Sequence, residues 1–170
     1  MYRLRELSSK DLTQINEWRN DSELITMLSC PFRFINLSVD EEWYKNYLAN
    51  RSNTVRCTIV DDGDNILGLI SLCSIDYINQ RAELHIMIGN MENYGKGIGS
   101  FAVKKILEHA FYNLNLQRVE IGVLDYNLRA IKLYEKCGFV KEGVKRDAVF
   151  KSGRYVDLLQ YGILRKEYIK

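Results

Sequence analysis

Two hydrophobic periods alternate along this chain. Glu83-Leu84-His85-Ile86-Met87-Ile88 is dense in β-branched and large apolar residues and reads as a strand. Phe101, Ala102, Val103, Ile106, Leu107, Ala110 and Phe111 then recur at helical spacing. Val119 to Leu124 reads as a further strand. A second helix follows, opened by the cap-type residues Asp125 to Asn127, carrying Leu128, Ile131 and Leu133, and closed by Gly138. Upstream, Tyr2 to Leu7 predicts a short strand. Ser8 and Asp11 predict a capping box for a helix bearing Leu12, Ile15 and Trp18. A short helix is expected over Asp21 to Ser29, stopped near Pro31. Ser38 and Glu41 predict another capping box, ahead of a helix with Trp43, Tyr44, Tyr47 and Leu48 on its aromatic face. Val55 to Val60 and Ile66 to Ile75 read as a hairpin around Asp62-Gly63, and Val140 to Phe150 and Tyr155 to Leu164 as another around Ser152-Gly153.

Interleaved strands and helices without a repeat, linker or low-complexity tract predict one α/β domain over residues 1–170. A chain of 170 residues is long enough to bury a substantial core. The net charge of +2 provides no strong field toward nucleic acid or a membrane. No apolar run is long enough to span a bilayer, and Met1 to Glu6 lacks the apolar core of a signal peptide, so a cytoplasmic location is expected. Cys30, Cys57, Cys73 and Cys137 show no Cys-x-x-Cys spacing, and Cys57 and Cys73 fall within apolar strands as buried thiols. Two histidines without paired spacing point to no metal site.

The chemistry concentrates between the strand ending at Ile88 and the long helix, in Asn93-Tyr94-Gly95-Lys96-Gly97-Ile98-Gly99-Ser100. Glycines let backbone approach a ligand. The first amides of a helix lack internal partners and lie at the positive end of its dipole. A strand, a glycine-rich turn and a helix start together make a phosphate site. No Walker loop is present, and the glycine spacing is a marginal match to the dinucleotide fingerprint.

Two motifs in order carry a family resemblance. Tyr94-Gly95-Lys96-Gly97-Ile98-Gly99 is similar to the Gln/Arg-x-x-Gly-x-Gly/Ala loop of the GNAT superfamily of acetyl-CoA-dependent N-acetyltransferases, with Tyr94 in place of Gln or Arg. Asn127, Ala130, Tyr134, Gly138 and Phe139 match that family's Asn-x-x-Ala-x-x-x-Tyr helix and the Gly-Phe after it. The resemblance implies an α+β fold: a central mixed, mostly antiparallel, twisted sheet of about seven strands flanked by helices, split in a V between the fourth and fifth strands. It implies acetyl-CoA as co-substrate, without a metal. The cofactor would be held by Ile86, Met87 and Ile88 of the fourth strand, by Tyr94, Gly95, Lys96, Gly97, Ile98, Gly99 and Ser100 of the loop, and by Asn127 and Ala130.

In the same comparison Tyr134 resembles the tyrosine that protonates the departing sulfur, and Glu83 the acidic residue that acts on the amine through water. Each has a plainer alternative: Tyr134 as a core tyrosine, Glu83 as a strand-end carboxylate paired with Arg81 or Arg118. His85 is a second candidate base, since imidazole ordinarily titrates near neutrality. Cys137 as an acyl carrier is disfavoured, because nothing marks a base beside it.

The acceptor side is expected over roughly Trp18 to Tyr47 and Lys145 to Tyr155. Glu17-Trp18-Arg19-Asn20-Asp21 resembles the branch with ribosomal-protein and nucleotide-amino-sugar acetyltransferases. Arg81-Ala82-Glu83 and Asn127 to Phe139 resemble polyamine acetyltransferases, whose substrate would favour an acidic site such as Asp40, Glu41 and Glu42. Phe32, Phe34, Trp43 and Tyr44 could stack on a sugar or base, or pack beneath the loop. The function expected is direct acetyl transfer, in a ternary complex, to a small primary amine, with amino sugars slightly ahead of polyamines. A protein α-amine acceptor and a non-catalytic acyl-CoA sensor are the alternatives. No nucleic acid or membrane partner is expected; a homodimer is left open.

Overall fold

The computed structural model describes residues 1–168. Its strands are β1 (Arg3–Glu6), β2 (Val55–Val60), β3 (Ile66–Asp76), β4 (Arg81–Ile88), β5 (Arg118–Leu124), β6 (Val140–Lys151) and β7 (Arg154–Leu164). They form one sheet in the order β1-β2-β3-β4-β5-β7-β6, and every neighbouring pair is antiparallel except β4–β5. Both expected hairpins form. Ser152 (φ +48°) and Gly153 (φ +84°) are both left-handed, as a two-residue turn matched to strand twist requires. At the other hairpin the Asp61 carboxylate accepts from the amides of Gly63 and Asn65, both at 2.9 Å.

The helices are α1 (Leu12–Arg19), α2 (Ser22–Thr26), α3 (Leu37–Ala49), α4 (Ile98–Glu108), α5 (Leu128–Lys136) and the short α6 (Arg165–Tyr168). Strand alternation sorts them onto two faces. Leu84 and Ile86 of β4 pack into the core built with Ala102, Ile106, Leu107 and Phe111 on and just after α4. Met87, between Ile86 and Ile88, turns to the other core, formed by Leu12, Ile15, Trp18, Leu24 and Tyr47. After Glu108, α4 runs on through a wider π turn, His109–Asn113.

Helix starts differ in places from expectation. The Ser8–Asp11 box forms, with the Ser8 amide donating to Asp11 at 2.9 Å, but it opens a 3-10 turn that leads into α1. The Ser38–Glu41 box does not open α3. Asn36, two residues earlier, is already extended and accepts from the Val39 amide through its side chain, so Ser38 lies within the first turn. Helix α2 covers five residues rather than the span to Ser29, and Asp21 caps it by accepting from Glu23 and Leu24. Among the described residues no helix is long and apolar enough to cross a membrane.

Candidate active site

Strands β4 and β5 pair over only three positions, Arg81 with Arg118, Ala82 with Val119 and Glu83 with Glu120. Beyond them β4 keeps β3 as its neighbour while β5 follows β7. The β5-facing side of Leu84 to Ile88 therefore has no strand partner. The Gln80 carbonyl closes the narrow end, accepting from the amides of Gln117 at 2.7 Å and Arg118 at 3.2 Å. Between the diverging strands lies a cavity of about 560 Å³. Its walls include His85, Ile86, Met87 and Ile88 from β4, Gly122 and Val123 from β5, and Ala130 and Tyr134 from α5.

A single turn over Met91–Asn93 follows β4 and leads into the glycine loop. Gly95 (φ +79°) and Gly97 (φ +81°) are left-handed, and a Cβ on either would meet nothing within 4 Å. This is an open cradle of backbone, with Gly97 at the cap position of α4 and Ile98, Gly99 and Ser100 supplying its first amides. Gly99 has a packing reason as well, since a Cβ there would stand 3.0 Å from Leu133 of α5. Lys96 is exposed beside Asn93. Tyr94 joins the loop to its neighbours: its hydroxyl donates to the Ile88 carbonyl at 3.4 Å, and the Arg129 guanidinium sits 3.7 Å from its ring centroid. Tyr94 lines the cavity, whereas Gly95 to Ser100 lie beyond it.

Asn127 caps α5 by accepting from the Ala130 amide at 3.1 Å, and its amide group donates to the Met27 carbonyl at 2.9 Å. Tyr126 donates to the Thr26 carbonyl at 2.6 Å, and Lys151 donates to the carbonyls of Ile25, at 2.9 Å, and Cys30. The end of α2 is thus fastened to both α5 and the β6–β7 hairpin. The segment Met27 to Ile35 roofs the cavity. Nothing in the sequence around Lys151 or Tyr126 marks either for this task.

Tyr134 is 5% exposed yet reaches the cavity wall. Its ring packs edge-on against Phe139, and its hydroxyl has no hydrogen-bond partner among the described residues. Burial pushes the phenol well above its ordinary range, so it stays protonated. On β4, Glu83 and His85 share one face, with Oε2 of Glu83 3.6 Å from Nε2 of His85. His85 lines the cavity and Glu83 does not. Neither arginine considered as a partner for Glu83 pairs with it: Arg81 meets Asp76, and Arg118 meets Glu120 and Glu142. Cys137 is buried, and burial raises its thiol.

Sequence reasoning assigned no role to Arg33 or Arg56 and none to the Arg19 side chain; all three line the cavity. Arg56 stacks 4.8 Å from the Trp43 ring centroid, and Arg19 lies 5.7 Å from the same ring while pairing with the buried Asp40. Trp43 also lines the cavity, while Phe32, Trp43 and Tyr44 pack against the core beneath α1 and α2. Among the described residues no group of three or more His, Cys, Asp or Glu is placed to hold a metal ion.

The chain matches the model of the acetyltransferase (GNAT) domain over residues 2–140. It is 34% identical over 170 residues to a spermidine N(1)-acetyltransferase of Vibrio cholerae, covering 98% of this chain and 94% of that protein. It is 33% identical over 127 residues to the putative ribosomal N-acetyltransferase YdaF of Bacillus subtilis, covering 75% and 67% of the two chains. The crystal structure of the V. cholerae spermidine N-acetyltransferase in complex with CoA and spermine superposes with a TM-score of 0.93 at 31% identity, covering 99% of this chain and 98% of that one. The chain therefore belongs to the GNAT acetyltransferase family.

Proposed function

We propose that this enzyme transfers the acetyl group of acetyl-CoA directly to the primary amine of a small molecule, with both substrates held together in the β4–β5 split. The observation that carries the reading is one cavity lined by both His85 and the largely buried Tyr134, whose hydroxyl has no hydrogen-bond partner among the described residues. The residues present suit acetyl-CoA. The positive-φ glycines and the start of α4 offer free amides to its pyrophosphate, and the unpaired side of Ile86, Met87 and Ile88 offers backbone groups to its pantetheine arm. Asn127 and Ala130 shape the α5 wall beside it.

An alkyl ammonium with a pKa of about 10 cannot attack a thioester until it loses a proton. His85 reaches the cavity, and Glu83 stands where it can orient the imidazole or accept the proton through water. The amine then attacks the carbonyl carbon, and a β4 amide donates to the developing oxyanion. As the carbon–sulfur bond breaks, Tyr134 donates its proton to the leaving sulfur, and the second proton lost by the nitrogen as the amide forms restores the phenol through solvent. At neutral pH the phenol carries its proton and is a donor.

The roof over Met27 to Ile35 favours a compact acceptor over an extended polypeptide. The name of the V. cholerae relative points to a polyamine, and the resemblance over Glu17-Trp18-Arg19-Asn20-Asp21 to an amino sugar or a ribosomal protein. The name of the B. subtilis relative keeps a protein α-amine as the second reading. The test is CoA release from acetyl-CoA against spermidine, spermine, nucleotide-linked amino sugars, aminoglycosides and peptides with free N-termini. Release with a small amine is expected. Release with peptides alone, or with no amine while acetyl-CoA binds, would overturn the reading.

A further inference from the structure

We infer that the acceptor carries an anionic group, a phosphate or a carboxylate, apart from its reacting amine, and that Arg56 receives it with help from Arg33. The inference rests on the acetyl-transfer reading and names the substrate class within it.

The cavity's acceptor half is electropositive. Arg33 and Arg56 line it without a carboxylate partner, Arg19 lines it paired with Asp40, and no Asp or Glu lines it among the described residues. The nearby carboxylates are committed elsewhere. Asp40 is fully buried and taken up by Arg19 and Asn16, and Glu83 does not line the cavity. A polyamine brings two or more positive charges, and a low-dielectric cavity of this sign would repel the charges that do not react.

Arg56 is the group best prepared for an anion. Its Nε is buried and has no hydrogen-bond partner among the described residues. That nitrogen is closed to a ligand, and the two terminal guanidinium nitrogens make no hydrogen bond among the described residues, which leaves them to meet an anion from the cavity. The guanidinium is held over Trp43 and lies 5.9 Å from the Tyr47 ring, so its plane is fixed before a ligand arrives. Planar, forked donors bind phosphate and carboxylate oxygens in pairs. Ser71 and His85, register partners on β3 and β4, lie on the same wall and offer further polar contacts. Arg33, on the exposed roof segment, lines the same cavity and adds a second positive charge.

The test is calorimetric titration of the CoA-saturated protein, in which the cofactor's own phosphate site is blocked. Three probes are used: UDP for the phosphate arm, succinate for the carboxylate arm, and spermine for the cationic alternative. UDP or succinate is expected to bind, and Arg56→Gln to weaken that binding tenfold or more. Arg33→Gln, an exposed substitution that leaves the cores intact, is expected to weaken it severalfold. The stronger anion identifies the source. Binding of spermine without either anion, binding of none of the three, or anion binding unchanged in both variants would overturn the inference. Acetyl-CoA binding and CoA release with other amines would remain in the first of those outcomes, so its failure is distinct from failure of the acetyl-transfer reading.

Discussion

At Gly97 the backbone is the candidate contact to the cofactor. Its φ of +81° at the cap of α4 costs an L side chain roughly 1–2 kcal/mol, and the space a Cβ would enter is open for a ligand. Gly97→Val should therefore weaken acetyl-CoA binding tenfold or more while the fold survives. A dissociation constant measured by calorimetry checks this, and an unchanged value would remove the loop from the cofactor site. The loop was legible in the sequence because glycine spacing and a following helical period are local signals. The arginines were not. Arg56 and Trp43 meet across different elements, from β2 to α3, and only the tertiary fold brings them together. The start of α3 was misread for a smaller reason: Asn36 and Ser38 are both good cap residues two positions apart, and the backbone turns at the first.

At the scale of elements, the roof is a short helix held by its carbonyls. Helix α2 is five residues long, too short to be stable by itself, and its end is fastened by Lys151, Tyr126 and Asn127. Lys151 is buried, and burial lowers its ammonium from the ordinary lysine value even as two carbonyls hold it. Lys151→Met would keep the apolar stem and leave those carbonyls without their donor. The expected loss of stability is about 1–3 kcal/mol, read by urea unfolding. The KM for the amine should rise severalfold, with acetyl-CoA affinity kept. A variant with unchanged amine KM would mean that the roof does not shape the acceptor site. Hairpins and amphipathic helices were readable from period and turn residues. The fastening was not, because Lys151 and Ile25 are 126 positions apart and a lysine beside a tight turn reads as solvent-exposed.

For the whole molecule, function follows from a sheet that is continuous at one end of β4 and β5 and open at the other. The closed end is fixed by three paired positions and by Gln80; the open end places β4 backbone, α4 amides and α5 side chains around one space. The seven-strand plan and the split were expected from the family resemblance rather than from periodicity, which by itself supports only a mixed α/β domain. The central claim is that Tyr134 acts on the leaving sulfur inside this split. The most direct measurement compares Tyr134→Phe with the parent enzyme for amine-dependent CoA release and, separately, for acetyl-CoA affinity. The variant removes one hydroxyl and leaves the ring against Phe139. The account predicts a loss in kcat of about 10²-fold or more with acetyl-CoA affinity changed little. Turnover equal to the parent's, with the cofactor bound normally, would contradict it.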